Sequence, residues 1–352
     1  MPLPATITAA RLRAQLLTQP ATDPEAVVDR LLAVQAQDAR AFRLAIRSRT
    51  TGCTARDVEA ALNDRRLLVS WLCRGTLHLV RAADYPWLHA LTAPRIVGGI
   101  TRRLAQLGVD EKTTARAVDL ISTTLADGPH SRDELRGVLD AVGLPTEGQI
   151  LVHLLGAASI REHVVRGPVR DGQHCFVDAR RWLDTLDAPD PEHCLAQLAV
   201  RYLAGHGPAG ASDLAVYAGI TLTAARRAFT LVEQQTRPVG DAGLRTLADA
   251  SADGKSLPTP RLLGMFDPVL HGWADREFVT DGHGDVVTTN GLFRATALVD
   301  GRVAGIWRTI RDRVTLTPLR PLSTRVRADL DTDARDVLRF LGLPQTALLY
   351  SD

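Results

Sequence analysis

Three stretches of the chain share one pattern at nearly even spacing: CTARDVEAAL at 53–62, HSRDELRGVL at 130–139 and AGASDLAVYA at 209–218. Each offers a Thr or Ser able to cap a helix, an acidic residue for the first turn, and apolar residues at helical spacing. Their starts lie 77 and 79 residues apart. A fixed period of this kind points to one supersecondary unit used three times rather than to one continuous fold.

The middle unit is the most legible. KTTARAVDLISTTLADG reads as a helix ending at Gly128, SRDELRGVLDAVG as a second and EGQILVHLLGAAS as a third. IREHVVRGPVRDGQHCFVD then alternates and turns at glycines, as a β-hairpin does. Three helices and a hairpin is the winged-helix order, a variant of helix-turn-helix. The third unit repeats it, with TLTAARRAFTLVEQQ as its last helix. In the first unit, ITAARLRAQLL and PEAVVDRLLAVQAQ read as helices and RLLVSWLCRGTLHLV as a strand-like run. After residue 258 strands alternate with turns up to the helix TDARDVLRFLG, and Asp300-Gly301 suits a tight type I′ turn. The expected fold is α+β, with winged-helix units at 1–110, 111–188 and 189–258 around a β-rich, barrel-like scaffold at 259–352.

Repeated helix-turn-helix units serve either nucleic acid or protein scaffolding. The basic residues favour the first: of 42 Lys and Arg, only Lys112 and Lys255 are lysines. A GC-rich genome would give the same bias, but planar guanidinium also suits phosphate and base recognition. Arg161, Arg166, Arg170, Arg226 and Arg227 fall on third helices and wings, where a solvated basic face is the bland alternative. Cys53, Cys73, Cys175 and Cys194 form no C-x-x-C pair or zinc-finger spacing with the 10 histidines, so neither a metal nor another cofactor is expected. No apolar run approaches the ~20 residues of a membrane helix, and the N-terminus lacks a signal-peptide pattern, so the expected location is the cytoplasm. Walker loops, G-x-G-x-x-G, G-x-S-x-G and H-E-x-x-H are all absent, which removes the usual signatures of nucleotide hydrolysis, dinucleotide redox chemistry, serine hydrolysis and zinc proteolysis.

Two local runs in the first unit remain. Gln35-Ala36-Gln37-Asp38 ends an otherwise apolar helix pattern. Residues two apart do not share a helix face, but in extended chain they point the same way and could converge on one ligand. Taken alone, they read as polar residues at a helix end, with Asp38 pairing to Arg40 or Arg43. The second run is Trp71-Leu72-Cys73-Arg74-Gly75-Thr76-Leu77-His78, which reads either as an edge strand or as a strand presenting Arg74, Thr76 and His78 to a phosphate or base.

The runs LLAVQAQDARAFRLAIRSR, SWLCRGTLHLV, LLGMFDPVLHGWADRE and LVDGRVAGIWR together resemble the AlkZ/YcaQ family of bacterial DNA glycosylases, from about residue 8 to residue 345. The resemblance implies three tandem winged-helix units around a barrel-like scaffold, forming a C-shaped DNA channel. It implies base excision repair of bulky or crosslinking N7-alkylguanine, in some members as self-resistance to a DNA-alkylating natural product. Gln35 and Gln37 match the family's Gln-apolar-Gln catalytic motif, and Asp38 stands second in rank as base or cation stabiliser. Arg74, Thr76 and His78 become DNA-contact or supporting residues. Arg302 and Arg308, with Arg311 and Arg313, become groove or phosphate contacts. The expected partner is double-stranded DNA carrying alkylated guanine, bound by a monomer. Two other readings stay open: a winged-helix transcriptional regulator without catalysis, and a protein that sequesters the free drug.

Two uncharged amides could suffice for such chemistry. Alkylation at N7 makes guanine cationic, so the base departs neutral and needs no strong acid. What remains is to bring water to C1′ of an electron-poor sugar, and positioning of that kind can supply up to about 7–11 kcal/mol in ideal intramolecular cases. A bulky lesion also fits poorly in a tight flipped-base pocket. An open cleft is therefore expected.

Overall fold

The computed structural model describes residues 3–240, 242–251, 256–310 and 312–351; Lys255 and Arg311 lie outside them. The repeated pattern is the start of a helix each time. The helices Ala55–Asn63, Arg132–Ala141 and Ala211–Ala218 follow the period of the sequence. Their first turns close alike. The backbone N–H of Thr54 donates to Asp57 at 2.7 Å, that of Ser131 to Glu134 at 2.6 Å and that of Gly210 to Asp213 at 2.9 Å. A carboxylate three residues on satisfies an amide that no helical carbonyl can reach. Only in the third does glycine occupy the position where a Ser or Thr was expected.

The fold is α+β, in two compact units: Met1–Val58, Ala196–Tyr217 and Thr221–Asp352 form one, Glu59–Leu195 and Ala218–Ile220 the other. In the second, the helices Glu111–Thr124, Arg132–Ala141 and Ile150–Glu162 are followed by the hairpin of Val164–Arg170 and Gln173–Asp178. Its strands pair antiparallel in the order Thr76–Arg81, Leu67–Leu72, Val164–Arg170, Gln173–Asp178, His130–Ser131. The strand-like run is thus a hairpin, turning through Cys73 and Gly75 at φ of 50° and 79°. The 22-residue helix Tyr85–Gln106 packs on Ile150–Glu162 and was not foreseen, because Pro94 and Gly98-Gly99 inside it read as breakers.

The other unit holds an open five-stranded sheet, in the order Leu349–Tyr350, Arg313–Pro318, Arg302–Ile310, Thr296–Val299, Arg261–Leu263. No closed barrel forms among the described residues, which corrects the barrel-like expectation. The outer strands are two and three residues long, too short to curl the sheet back on itself. The Asp300-Gly301 turn is the tight one expected, with φ of 54° and 76° and Val299 opposite Arg302. The helix Thr324–Phe340, longer than its sequence pattern, packs on Arg261–Leu263 and on the helix Ala39–Arg47. Along the chain the segments 191–206, 211–218, 222–231 and the hairpin of Thr236–Val239 and Leu244–Leu247 repeat the helix–helix–helix–hairpin order. Between Ala55–Asn63 and Leu67–Leu72 no third helix intervenes.

Buried arginines tie this unit together. Arg49 and Asp267 are both fully buried, with nitrogen–oxygen distances of 2.7 and 2.9 Å, and Arg49 also donates to Gln15 at 3.0 Å. Arg47, 4% exposed, bonds Asp333 and reaches Asp336 at 2.8 Å. Burial alone would lower the Arg47 pKa, but the two carboxylates raise it above its ordinary value, so the charge stays. Removing one partner of such a pair strands the other charge. Arg49→Ala is therefore expected to lower unfolding free energy by about 3–5 kcal/mol, measured by urea denaturation, whereas loss within the ~0–1 kcal/mol of an exposed pair would refute the tie.

Candidate active site

The helix Pro24–Leu31 starts at Asp23, whose carboxylate accepts from Ala26 N–H at 2.9 Å, and stops where Leu32 takes a φ of 68°. Tyr217 secures the break. Its buried hydroxyl lies 2.9 Å from the Leu31 carbonyl and accepts from the Ala33 N–H at 3.2 Å. Beyond it the chain is extended over Val34–Gln35. The glutamine run is therefore not a helix end. Val34 and Ala36 are 0% and 3% exposed, Gln35 is 9% exposed, and Gln37 is open to solvent. The two glutamines thus differ: Gln35 is buried with its apolar neighbours, Gln37 alone is open to solvent, and neither lines the cleft that begins at Asp38.

Asp38 ends the run and caps the helix Ala39–Arg47, accepting from Ala41 N–H at 2.7 Å. It makes no ion pair with Arg40 or Arg43 among the described residues; Arg43 instead donates to the Ala39 carbonyl at 2.9 Å and lies 5.0 Å from the Phe42 ring centroid. Asp38 lines a cleft of about 770 Å³ whose floor includes Leu44, Met265 and Trp307. Arg40, Arg294 and Arg308 also line it, together with Asp285. All three arginines are exposed, and none forms an ion pair among the described residues. Of the residues named from sequence, the structure thus brings Asp38 and Arg308 together. Arg294 was missed, and nothing in its sequence neighbourhood marks it; only the sheet brings it to the cleft. Arg302 is ion-paired to Asp281. Arg313 lies exposed at the far end of the same hairpin, opposite Ile310.

Arg74, Thr76 and His78 sit on the hairpin of the second unit. His78 is 1% exposed; its Nδ1 donates to the Thr76 carbonyl at 2.9 Å, and its Nε2 lies 3.5 Å from an Arg74 nitrogen. Arginine has only donors, so Nε2 is the acceptor and the ring is neutral. Burial, then the Arg74 charge, pulls the His78 pKa down to about 3 against the opposing Thr76 bond. His78 therefore steadies Arg74, which is part exposed, rather than facing a ligand itself. The Thr76 hydroxyl is buried without a partner among the described residues. Also among them, no cluster of three or more His, Cys, Asp or Glu could hold a metal ion, and no helix is long and apolar enough to cross a membrane.

Comparison with known proteins gives this arrangement its class: the chain is a DNA glycosylase. It matches the family model described as DNA glycosylase AlkZ-like over residues 28–340, and so belongs to the AlkZ-like DNA glycosylase family. It is 26% identical over 358 aligned residues to the interstrand DNA cross-link repair glycosylase of Streptomyces sahachiroi, covering 95% of each chain. The solved structure of Streptomyces sahachiroi DNA glycosylase AlkZ shares the fold, with a TM-score of 0.80 at 23% identity over the whole of both chains. The resemblance read from the sequence runs is thus met, and the regulator and drug-sequestration readings fall away.

His78 and the similarly buried His89, whose pKa falls to about 4, make folding sensitive to acid. An unfolded histidine titrates near 6.5, so below that pH the unfolded chain binds protons that the folded chain refuses. Stability is expected to be level above pH 6.5 and to fall as pH drops, by about 1.4 kcal/mol per unit from His78 alone. Urea midpoints at pH 5 and pH 7.5 test this; equal stability at both would show that His78 titrates normally.

Proposed function

We propose that the chain hydrolyses the N-glycosidic bond of bulky or crosslinking N7-alkylguanine in duplex DNA, as a monofunctional glycosylase of base excision repair with Gln35 and Gln37 as its catalytic residues. The observation that carries this reading is local: the strand Val34–Gln35 leads through Ala36 and a bend at Gln37 into Asp38, which lines a cleft together with Arg40, Arg294 and Arg308. Guanidinium groups with no carboxylate partner suit a phosphate backbone. The name of the Streptomyces sahachiroi relative adds crosslinks to the substrates to be tried. In the domain reading that goes with this proposal, winged-helix units occupy 1–110, 111–188 and 189–258, with residues 259–352 as scaffold, and a monomer binds the duplex along a C-shaped channel. Self-resistance to an alkylating natural product is the biological setting this substrate would fit.

Each group then has a task. The N7 cation leaves as a neutral base, so the protein need not protonate it. The Gln37 amide oxygen accepts a hydrogen bond from water and holds it on the line to C1′, and Gln35 shares or orients that contact; C1′–N9 breaks as C1′–O forms, and the water's surplus proton passes to bulk solvent. Asp38 has one oxygen committed to the Ala41 amide, and its charge lies where a developing sugar cation would gain from it. Arg74, steadied by His78, and Arg308 hold phosphates, with Arg302 contributing if its pair with Asp281 opens. A bulky adduct stays in the open cleft rather than passing into a closed pocket.

The experiment is single-turnover release of modified base from duplexes carrying N7-guanine monoadducts and crosslinks of increasing size, read by alkaline cleavage at the abasic sites. Gln35→Ala and Gln37→Ala are each expected to slow release by roughly 10²-fold or more while duplex affinity changes less than about threefold, the pattern of groups that act in the transition state. Full rates in both variants would remove the two glutamines from the mechanism. No abasic sites from any adduct would remove the N7-alkylguanine reading.

A further inference from the structure

The arginines assigned from sequence to the wing and third helix of the middle unit separate into two kinds. Arg161 is paired with Glu111 at 2.6 Å, and Arg170 is paired with Glu134. Arg166 has no ion pair among the described residues, although most of its side chain is buried. Its guanidinium carbon lies 5.5 Å from the Trp71 ring centroid and 5.1 Å from that of Phe176, and its Nε is buried with no acceptor.

The sheet sets this up. Val69 pairs with Arg166, Arg166 with Phe176, and Phe176 with His130, so four strands cross at one level. Two residues beyond His130 comes Arg132, exposed, also without an ion pair among the described residues. The strand bulges between Arg166 and Val169, which breaks the ladder beside the guanidinium. Glu134 is already engaged by Ser131 N–H and Arg170. Burial and the Arg132 charge together lower the Arg166 pKa to about 10. Arg132 is the charge that acts on Arg166, and neither arginine forms an ion pair with a carboxylate among the described residues. An arginine whose faces are covered by aromatic rings keeps its N–H edge pre-organised and pays little further entropy to bind an anion.

We propose that Arg166 and Arg132 form a phosphodiester-binding site for the DNA backbone on this wing, an inference that rests on the reading that the chain works on duplex DNA. The site takes one phosphate, whose single negative charge offsets part of the pair's positive charge and which accepts from the Arg166 guanidinium. It adds affinity without sequence preference and takes no part in the chemical step.

The test is equilibrium binding of the full-length protein to an undamaged duplex over a range of salt concentrations. Arg166→Ala and Arg132→Ala are each expected to lower the slope of log Kobs against log salt by up to about 0.9, the value for one phosphate contact, and to weaken binding several-fold at low salt. Arg136→Ala removes the same charge one turn along the same helix, but Arg136 is already paired with Asp133 at 2.6 Å, and its slope is expected to match the wild type. Wild-type slopes in both Arg166→Ala and Arg132→Ala, or an equal drop in Arg136→Ala, would overturn the site. Should Arg166→Ala fail to fold, the exposed Arg132 decides alone. A wild-type chain that does not bind the duplex overturns the site outright. Base release from damaged duplex is measured separately, so failure of the N7-alkylguanine reading leaves the result on undamaged DNA standing.

Discussion

Arg47 and Arg49 stand at the end of the helix that Asp38 begins, and both are buried, Arg49 fully and Arg47 almost so. Their charges survive because carboxylates brought from far along the chain meet them: Asp267 for Arg49, Asp333 and Asp336 for Arg47. An unpaired charge at that depth would cost several kcal/mol, so the helix Ala39–Arg47 has little freedom to shift against the closing helix and the sheet. Arg47 also donates to the Leu262 carbonyl at 3.0 Å, and Arg261 bonds the Ser48 carbonyl. The residues that precede the helix inherit its position. At their other end Tyr217 takes up the backbone groups freed where the first helix stops. Gln35 to Asp38 is therefore a short span, strand and then bend, held at both ends, as a segment must be if it is to hold a water to within a fraction of an ångström.

This economy of means fits the proposed chemistry. A leaving base that already carries positive charge asks for neither a metal nor a strong acid, and an amide dipole is a modest but fixed device for aiming solvent. The exposed arginines of the cleft do a different job, since they would meet phosphates rather than the reacting carbon. Their lack of carboxylate partners contrasts with the paired arginines of the interior. The same contrast separates Arg166 from Arg161 and Arg170 in the other unit. In the proposed reading, the cleft arginines without ion pairs among the described residues are the ones that would meet an external anion.

The sequence was most readable where structure is local. The Thr54–Asp57 and Ser131–Glu134 starts, the Asp300-Gly301 turn and the hairpin at 164–178 follow short-range rules, and each is present as the spacing requires. The strand at Gln35 is not legible in the sequence, because an apolar helical pattern runs straight into it; what secures the end of that helix is a tyrosine nearly two hundred residues away. The helix Tyr85–Gln106 was hidden by its own Pro94, which burial tolerates. The scaffold was legible as strands and turns but not as an open sheet, since closure depends on the length of outer strands that have no pattern of their own. Arg294 entered the cleft through sheet topology, which no local spacing reports. The pairing of Arg47 with Asp333 was equally invisible, as two charged residues in long polar stretches give no sign of partnership.

The claim at the centre is that the positive charge on the damaged base does most of the work of departure. It is tested most directly by placing one and the same alkyl group either on N7 of guanine, where the base is cationic, or on O6, where it is neutral, in otherwise identical duplexes. Single-turnover release after subtraction of the spontaneous rate is the quantity to measure. Release is expected from the N7 duplex and none above background from the O6 duplex. Comparable release from both would mean that the protein supplies its own acid to the leaving base, and that two amides are not enough.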